Sequence, residues 1–325
     1  MPSAIVMERT GGPDVLEWRE VTVGDPGPNE VRVRQTSVGL NYGDALLRAG
    51  HRPIPLPGII GLDGAGIVEA VGSAVTEVSP GDRVAYTMLL GGYAEVRLLP
   101  ADRVVKLPPD IDNRVAAGFI SKGLTARYLL RDLYSIQPGD FVLVHAAAGG
   151  VGSLLAQWAH ALGATVIGSV YNEAKADFAR QCGCTHVIAL GKQDLVAEVA
   201  RITNGAKAAI VYDSVGLDTF LPSLDCLRPR GWMVTYGATS GMPPAIEPSL
   251  LGQKGALILT QPALMPYIPT RQKLLQASDD LFDAIRSKKI SSVIQQSFPL
   301  REAAHAHREL ESRSLCGVTT LEIKL

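Results

Sequence analysis

Along the first hundred or so residues, apolar and polar positions alternate in short runs such as "EVRVRQTSV" and "AGIVEAV", set apart by Gly- and Pro-containing turns such as "SPGDR". Period-two alternation between turn signals predicts strands of a half-buried antiparallel sheet or barrel. From about Asp140 the pattern changes. "FVLVHA", "ATVIGSV", "HVIAL", "AAIVYDS", "WMVTYG" and "ALILT" are continuous apolar runs separated by helix-length stretches, which predicts six parallel strands with crossover helices. After the first of them, Leu154, Leu155, Trp158 and Leu162 recur at helical spacing, and Gly163 stands where a helix ends. The chain closes with two helix-like stretches, "RQKLLQASDDLFDAI" and "REAAHAHRELESR", and a strand, "GVTTLEI". The fold class expected is α/β, a doubly wound parallel sheet beside a mainly-β unit.

A chain of 325 residues with 46% hydrophobic content can bury two cores. Its 31 basic and 32 acidic residues are scattered and leave a formal net charge of -1. That balance argues against a nucleic-acid or polyanion partner and for a small neutral one. The start lacks a basic region followed by an apolar core, and no stretch approaches membrane-spanning length, so neither membrane association nor export is expected and the cytoplasm is the expected location. Cys182, Cys184, Cys226 and Cys316 are too few and too irregularly spaced for a disulfide framework or a zinc clamp.

The candidate chemistry begins where "FVLVHA" runs into "AAGGVG". Ala147, Gly149 and Gly152 follow the dinucleotide fingerprint, with Ala in place of its first Gly. A diphosphate lying on the backbone of Ala148, Gly149, Gly150 and Val151 would meet unpaired N–H groups and the positive end of a helix dipole, and a bulky side chain there would hold it off. A glycine motif alone fits a bland turn equally well; the strand before it and the helix after it favour a cofactor. About 20 residues on, the second strand ends "GSVYNEAK" with no carboxylate at the turn to take a ribose hydroxyl. Lys175 can offer an ammonium to a 2′-phosphate, which favours NADPH over NADH; a solvated surface lysine is the alternative. Tyr171 lies at the same adenosine end. Its Tyr-x-x-x-Lys spacing with Lys175 imitates the proton-donor pair of short-chain dehydrogenases, but it falls too close to the glycine loop for that role.

Taken together, "GDFVLVHAAAGGVGSLLAQWAHALGATVIGSV", "VYDSVGLDTFLPSLDCLRPRGWMVTYGATSG", "GLNYGDALLRAG", "GLDGAGIVEAVG", "SKGLTARYLL" and "FPLREAAHAHRELESR" resemble the zinc-independent quinone oxidoreductases of the medium-chain dehydrogenase/reductase superfamily, over nearly the whole chain. The resemblance implies a GroES-like catalytic domain from residues 1–122 and 263–325, a Rossmann NADPH-binding domain from 123–262, and nicotinamide held in a cleft between them. It implies a homodimer joined through the strand "ALILT", with a quinone or conjugated carbonyl as the acceptor.

By the same resemblance, Asn41 and Asp44 line the site near nicotinamide, Thr125 and Tyr128 flank the cofactor, and Ser214, Tyr236 and Gly237 border it at strand ends. Asn41 can also be read as a turn residue before a helix. Tyr42 has two readings: its phenol protonates the reduced acceptor, or its ring packs in a core. Zinc-dependent relatives carry Cys and Gly-His-Glu where this chain has Asn41 and Leu62, so no metal is expected, and His305 and His307 read as surface or packing residues. Leu46, Arg52, Leu190 and Gln261 depart from residues usual in the family, which alters the expected substrate lining and thins the phosphate site. An enone or enoyl-thioester reductase, or an NADPH-binding protein without turnover, are the alternative functions.

Overall fold

The computed structural model describes residues 1–324. The first part of the chain forms β1 (Ser3–Met7), β2 (Glu17–Glu20), β3 (Glu30–Gly39), α1 (Tyr42–Arg48), β4 (Gly58–Ile59), β5 (Gly64–Val71), β6 (Arg83–Tyr86), β7 (Val96–Pro100), β8 (Val105–Lys106) and α2 (Asn113–Arg127). The middle adds β9 (Phe141–Val144), α3 (Gly150–Ala161), β10 (Thr165–Val170), α4 (Ala176–Gln181), β11 (His186–Ala189), α5 (Leu195–Ile202) and β12 (Ala208–Asp213), then α6 (Phe220–Asp225), β13 (Leu227–Thr235), α7 (Pro248–Gln253) and β14 (Ile258–Thr260). The end supplies α8 (Arg271–Arg286), β15 (Gln296–Pro299), α9 (Ala303–Glu311) and β16 (Thr319–Glu322).

These elements gather into two compact units. One comprises Met1–Leu124, Ile268–Asp283 and Ser292–Leu325; the other, Thr125–Tyr267 and Ala284–Ser291. In the first, β15, β16, β3, β5, β6 and β8 lie side by side, with β7 also on β3, and β2, β1 and β4 form a smaller sheet. All of these pairs are antiparallel except β15 with β16. The alternation read in "EVRVRQTSV" is real: Val31 and Val33 are buried while Arg32 and Arg34 reach outward to Glu69. A second part of this core joins Ile5, Met7, Leu40, Ile60 and Tyr93 to Ala303 and Ala306 of α9.

The second unit is a six-stranded sheet in the order β11-β10-β9-β12-β13-β14, every pair parallel. Each of the six apolar runs became one of its strands. Val142, Leu143 and Val144 of β9 and Ile210, Val211 and Tyr212 of β12 are fully buried, because helices cover both faces and no position need be polar. The chain leaves β9 toward β10 and returns to β9's other side as β12, so the strand order reverses beyond their carboxyl ends. That reversal opens the crevice in which doubly wound sheets bind ligands.

Candidate functional site

The sheet delivers its glycine loop to this crevice. β9 ends at Val144, and Ala146 turns the chain with a left-handed φ of 49°. Its carbonyl accepts the Gly149 N–H at 2.8 Å, and the Ala147 N–H donates to the Ser169 carbonyl of β10 at 3.0 Å. Gly149 is the extended N-cap of α3. The first N–H groups of α3 therefore have no partner within the helix and point, with its partial positive charge, out of a surface built from backbone. A Cβ at Gly152 would stand 2.2 Å from the Ala146 carbonyl oxygen, so only glycine lets the helix start this close to the strand. Ala148 is buried, while Gly149, Gly150 and Val151 are partly exposed. Such a cradle fits a diphosphate.

Beneath it lies a residue that the sequence reading passed over as part of a strand. His145 is fully buried, with Nδ1 2.6 Å from Ser169 Oγ and Nε2 2.8 Å from Ser223 Oγ. Ser223 spends its own proton on the Thr219 carbonyl at 2.6 Å, so His145 donates from Nε2 and accepts at Nδ1 from Ser169. Burial pushes this imidazole below its ordinary value and keeps it neutral. It braces β9, β10 and α6 under the loop.

At the neighbouring strand ends, buried Asp213 accepts from Val215 N at 2.7 Å, Gly216 N at 3.1 Å and Thr219 Oγ1 at 2.9 Å, shaping the turn that carries Ser214. The Tyr236 N–H donates to the Asp213 carbonyl at 2.8 Å, and a Cβ on Gly237 would meet Ser214 Cα at 3.0 Å. Ser214, Tyr236 and Gly237 thus come together. Beyond β10, Tyr171 is exposed, and Lys175 ends a short 3-10 turn begun by Glu173, which pairs with Lys192. Thr125 sits in the last turns of α2; Tyr128 opens the π turn that follows and stacks on Tyr267 with centroids 4.3 Å apart. All the residues expected to bind cofactor fall in the second unit, and Asn41, Tyr42 and Asp44 in the first.

In the first unit, Asn41 is the N-cap of α1 and shares a reciprocal capping box with Asp44, its side chain turned toward the Asp44 backbone. Asp44 Oδ2 accepts the Asn41 backbone N–H at 2.9 Å. The Asn41 amide donates to Asp63 Oδ1 at 2.9 Å and lies 3.4 Å from Asp44 Oδ2. Asp44, read from the resemblance as lining the nicotinamide site, is wholly enclosed, while Asn41 and Tyr42 are partly exposed. Asp63 is equally buried, and a Cβ on Gly39 would come within 2.5 Å of it. Lys122 of α2 supplies a buried ammonium that attracts both carboxylates without a direct hydrogen bond to either. Burial, reinforced for Asp44 by the nearby Asp63 charge, pushes Asp44 up to about 7, and burial pushes Asp63 up to about 6.

The cluster continues through Tyr93, whose hydroxyl is 3.2 Å from Asp44 Oδ2 and 3.0 Å from His307 Nε2. Arg48 Nη1 is 3.1 Å from His307 Nδ1, and Nη2 pairs with Glu311 at 2.6 Å. His307 is a packing residue of a particular kind, completely buried and driven down to about 3 by burial and by Arg48. Its neighbour His305 is exposed and edge-on to Phe298. Asp63, Tyr93, Lys122 and Arg48 were missed in the sequence. The available signal was a lysine inside the apolar stretch "AAGFISKGLTA" and an aspartate flanked by glycines in "GLDGAG".

Comparison with known proteins places both units. Residues 27–109 match the family described as alcohol dehydrogenase GroES-like domain, and residues 150–274 the family described as zinc-binding dehydrogenase. A quinone oxidoreductase of Pseudomonas aeruginosa is 46% identical over 99% of both chains. A 2-haloacrylate reductase of a Burkholderia species is 44% identical, also over 99% of both. The crystal structure of Escherichia coli quinone oxidoreductase complexed with NADPH superposes with a TM-score of 0.96 at 44% identity, covering 99% of this chain and 100% of that one. The zinc of the second family's description is not suited by the residues present. Among the described residues no group of three His, Cys, Asp or Glu is placed to hold a metal ion, and the carboxylate pair Asp44 and Asp63 already faces the Lys122 ammonium.

Proposed function

Because the chain belongs to the quinone oxidoreductase family of the medium-chain dehydrogenase/reductase superfamily, we propose that it reduces quinones with NADPH by hydride transfer and without metal. The observation that carries this reading is the backbone cradle at Gly149–Val151, made possible by Gly152. NADPH, when bound, supplies the hydride. The N–H groups of the Ala148–Val151 segment hold its diphosphate, Lys175 meets the 2′-phosphate, and Ser214, Tyr236, Gly237, Thr125 and Tyr128 fix the rest of the cofactor. Tyr171 covers the adenosine. Asn41 belongs to the end of the site where the acceptor is reduced, with Asp44 holding it in place. Without a Lewis acid, the acceptor must take hydride readily, as a quinone does, and the protein contributes mainly positioning.

A second reading, reduction of a conjugated carbonyl with Tyr42 as proton donor, draws support from the likeness to a 2-haloacrylate reductase. The family also points to a cytoplasmic homodimer joined through β14, an edge strand whose Ile258 is exposed; light scattering should give twice the chain mass. The activity is tested by mixing purified protein and NADPH with a panel of quinones and enones and following loss of the reduced nicotinamide absorbance. Quinone-dependent oxidation is expected, and Tyr42→Phe should leave it intact while abolishing any enone reduction. Tight NADPH binding with no oxidation by any acceptor would instead mark a binding protein without turnover.

A further inference from the structure

Asp44 sits at the end of a line of buried groups whose hydrogen-bond polarity can be assigned one group at a time. Arg48 has only N–H donors, so the His307 Nδ1 that faces it at 3.1 Å must accept. The imidazole is neutral, hence its single proton is on Nε2 and is donated to the Tyr93 oxygen at 3.0 Å. The Tyr93 proton is then left for Asp44 Oδ2 at 3.2 Å. Asp44 Oδ2 and Asp63 Oδ1 receive the Asn41 amide, so its NH2 group faces inward, because an amide carbonyl turned toward two carboxylates would be repelled. The carbonyl oxygen of Asn41, turned toward the Asp44 backbone in the capping box, keeps a second lone pair for a ligand.

We propose that Arg48, His307 and Tyr93 are positioning residues, a one-way hydrogen-bond line that holds Asp44 as an acceptor and thereby turns the Asn41 amide so that it accepts from, rather than donates to, the bound ligand. The ligand group it takes is a donor, a primary amide or a hydroxyl. The part of this that concerns catalysis rests on the proposed reductase activity; the polarity of the line does not. The charged and titratable groups acting on Asp44 are Asp63 ahead of β5, Lys122 on α2 and Tyr93 ahead of β7; behind Tyr93 stand His307 and Glu311 on α9, both joined to Arg48 on α1. Tyr86 with Arg97 lies on the next strands. Among the described residues, Asp44 receives hydrogen bonds from Tyr93, the Asn41 backbone and, at 3.4 Å, the Asn41 amide, and the first two favour its charged form.

The test is a carboxyl-carbon NMR titration of the ligand-free full chain, with the Asp44 signal assigned through Asp44→Asn, alongside nitrogen spectra of labelled histidine. His307 should be the Nε2–H tautomer and should not titrate across the neutral range. Tyr93→Phe should move the Asp44 midpoint upward by about half a pH unit or more. His307→Gln, whose amide can accept from Arg48 and donate to Tyr93, should leave that midpoint near its original place, while His307→Leu should move it as Tyr93→Phe does. In turnover with a quinone, Tyr93→Phe should lower kcat about 10-fold with little change in the NADPH KM, and shift the acid limb of the rate in the same upward direction. An Nδ1–H tautomer, or an Asp44 midpoint unmoved by Tyr93→Phe, overturns the proposal. Absence of quinone turnover with the midpoints shifting as stated would sink the reductase reading and leave the line standing.

Discussion

In the second unit the candidate surface is backbone, and at Asn41 in the first it is a side chain. The glycine loop is shaped by what is missing: a Cβ on Gly152 would press against the Ala146 carbonyl at 2.2 Å, and without it the first N–H groups of α3 stay open to an anion. The Asn41 cluster works by crowding, with two carboxylates, an ammonium, a phenol, an imidazole and a guanidinium enclosed together. Backbone dipoles keep their charge at every pH. A buried carboxylate pair does not, so the surface at Asn41 responds to pH where the glycine loop does not.

The largest expected effect attacks the loop. Gly152→Ala must displace α3 from β9 and should cost about 2–3 kcal/mol, read as a lower melting temperature, together with loss of NADPH binding by calorimetry. Asn41→Ala leaves the second unit untouched; it should lower kcat/KM about 10- to 100-fold while NADPH affinity stays within a factor of about two. If instead it weakened NADPH binding as much as Gly152→Ala, the division between the two regions would fail. Lys175→Ala should weaken NADPH about 10-fold and leave NADH unchanged in equilibrium titrations.

A further effect concerns stability. An aspartate whose folded value of about 7 stands above the unfolded one near 4 binds more protons when folded in that interval, so its contribution to stability falls as pH rises through it. Asp44→Asn removes that loss while keeping an acceptor for Tyr93. The variant should therefore gain about 2–3 kcal/mol on the parent between pH 5 and pH 8; equal gains at both pH values would show that Asp44 is not held protonated. His307, driven down to about 3, contributes the opposite slope, with stability lost as pH falls below its unfolded value near 6.5.

The same contrast decides what could be read in advance. Strand and helix periods, and the glycines between β9 and α3, are local patterns, and each of the six apolar runs became a strand in the expected sheet. The cluster around Asn41 gathers Arg48, Asp63, Tyr93, Lys122 and His307 from three helices and two loops, at separations from two helical turns to most of the chain, and no spacing rule announces it. His307 shows the limit. In "AAHAHREL" it is indistinguishable from His305 except by helical phase, yet one is sealed inside and the other exposed. Asp44 is read from the family resemblance, but only the structure shows it enclosed and acting on Asn41's backbone.

The central claim, hydride delivery from a cofactor on the glycine loop to a quinone, is met most directly by a single-turnover measurement. Protein loaded with NADPH, either unlabelled or deuterated at the transferred position of C4, is mixed rapidly with a simple quinone. The account predicts one equivalent of NADPH consumed per site, more slowly with deuterium, and no such reaction in Gly152→Ala. Bound NADPH that survives every quinone unchanged, or a rate indifferent to the label and to Gly152, would contradict it.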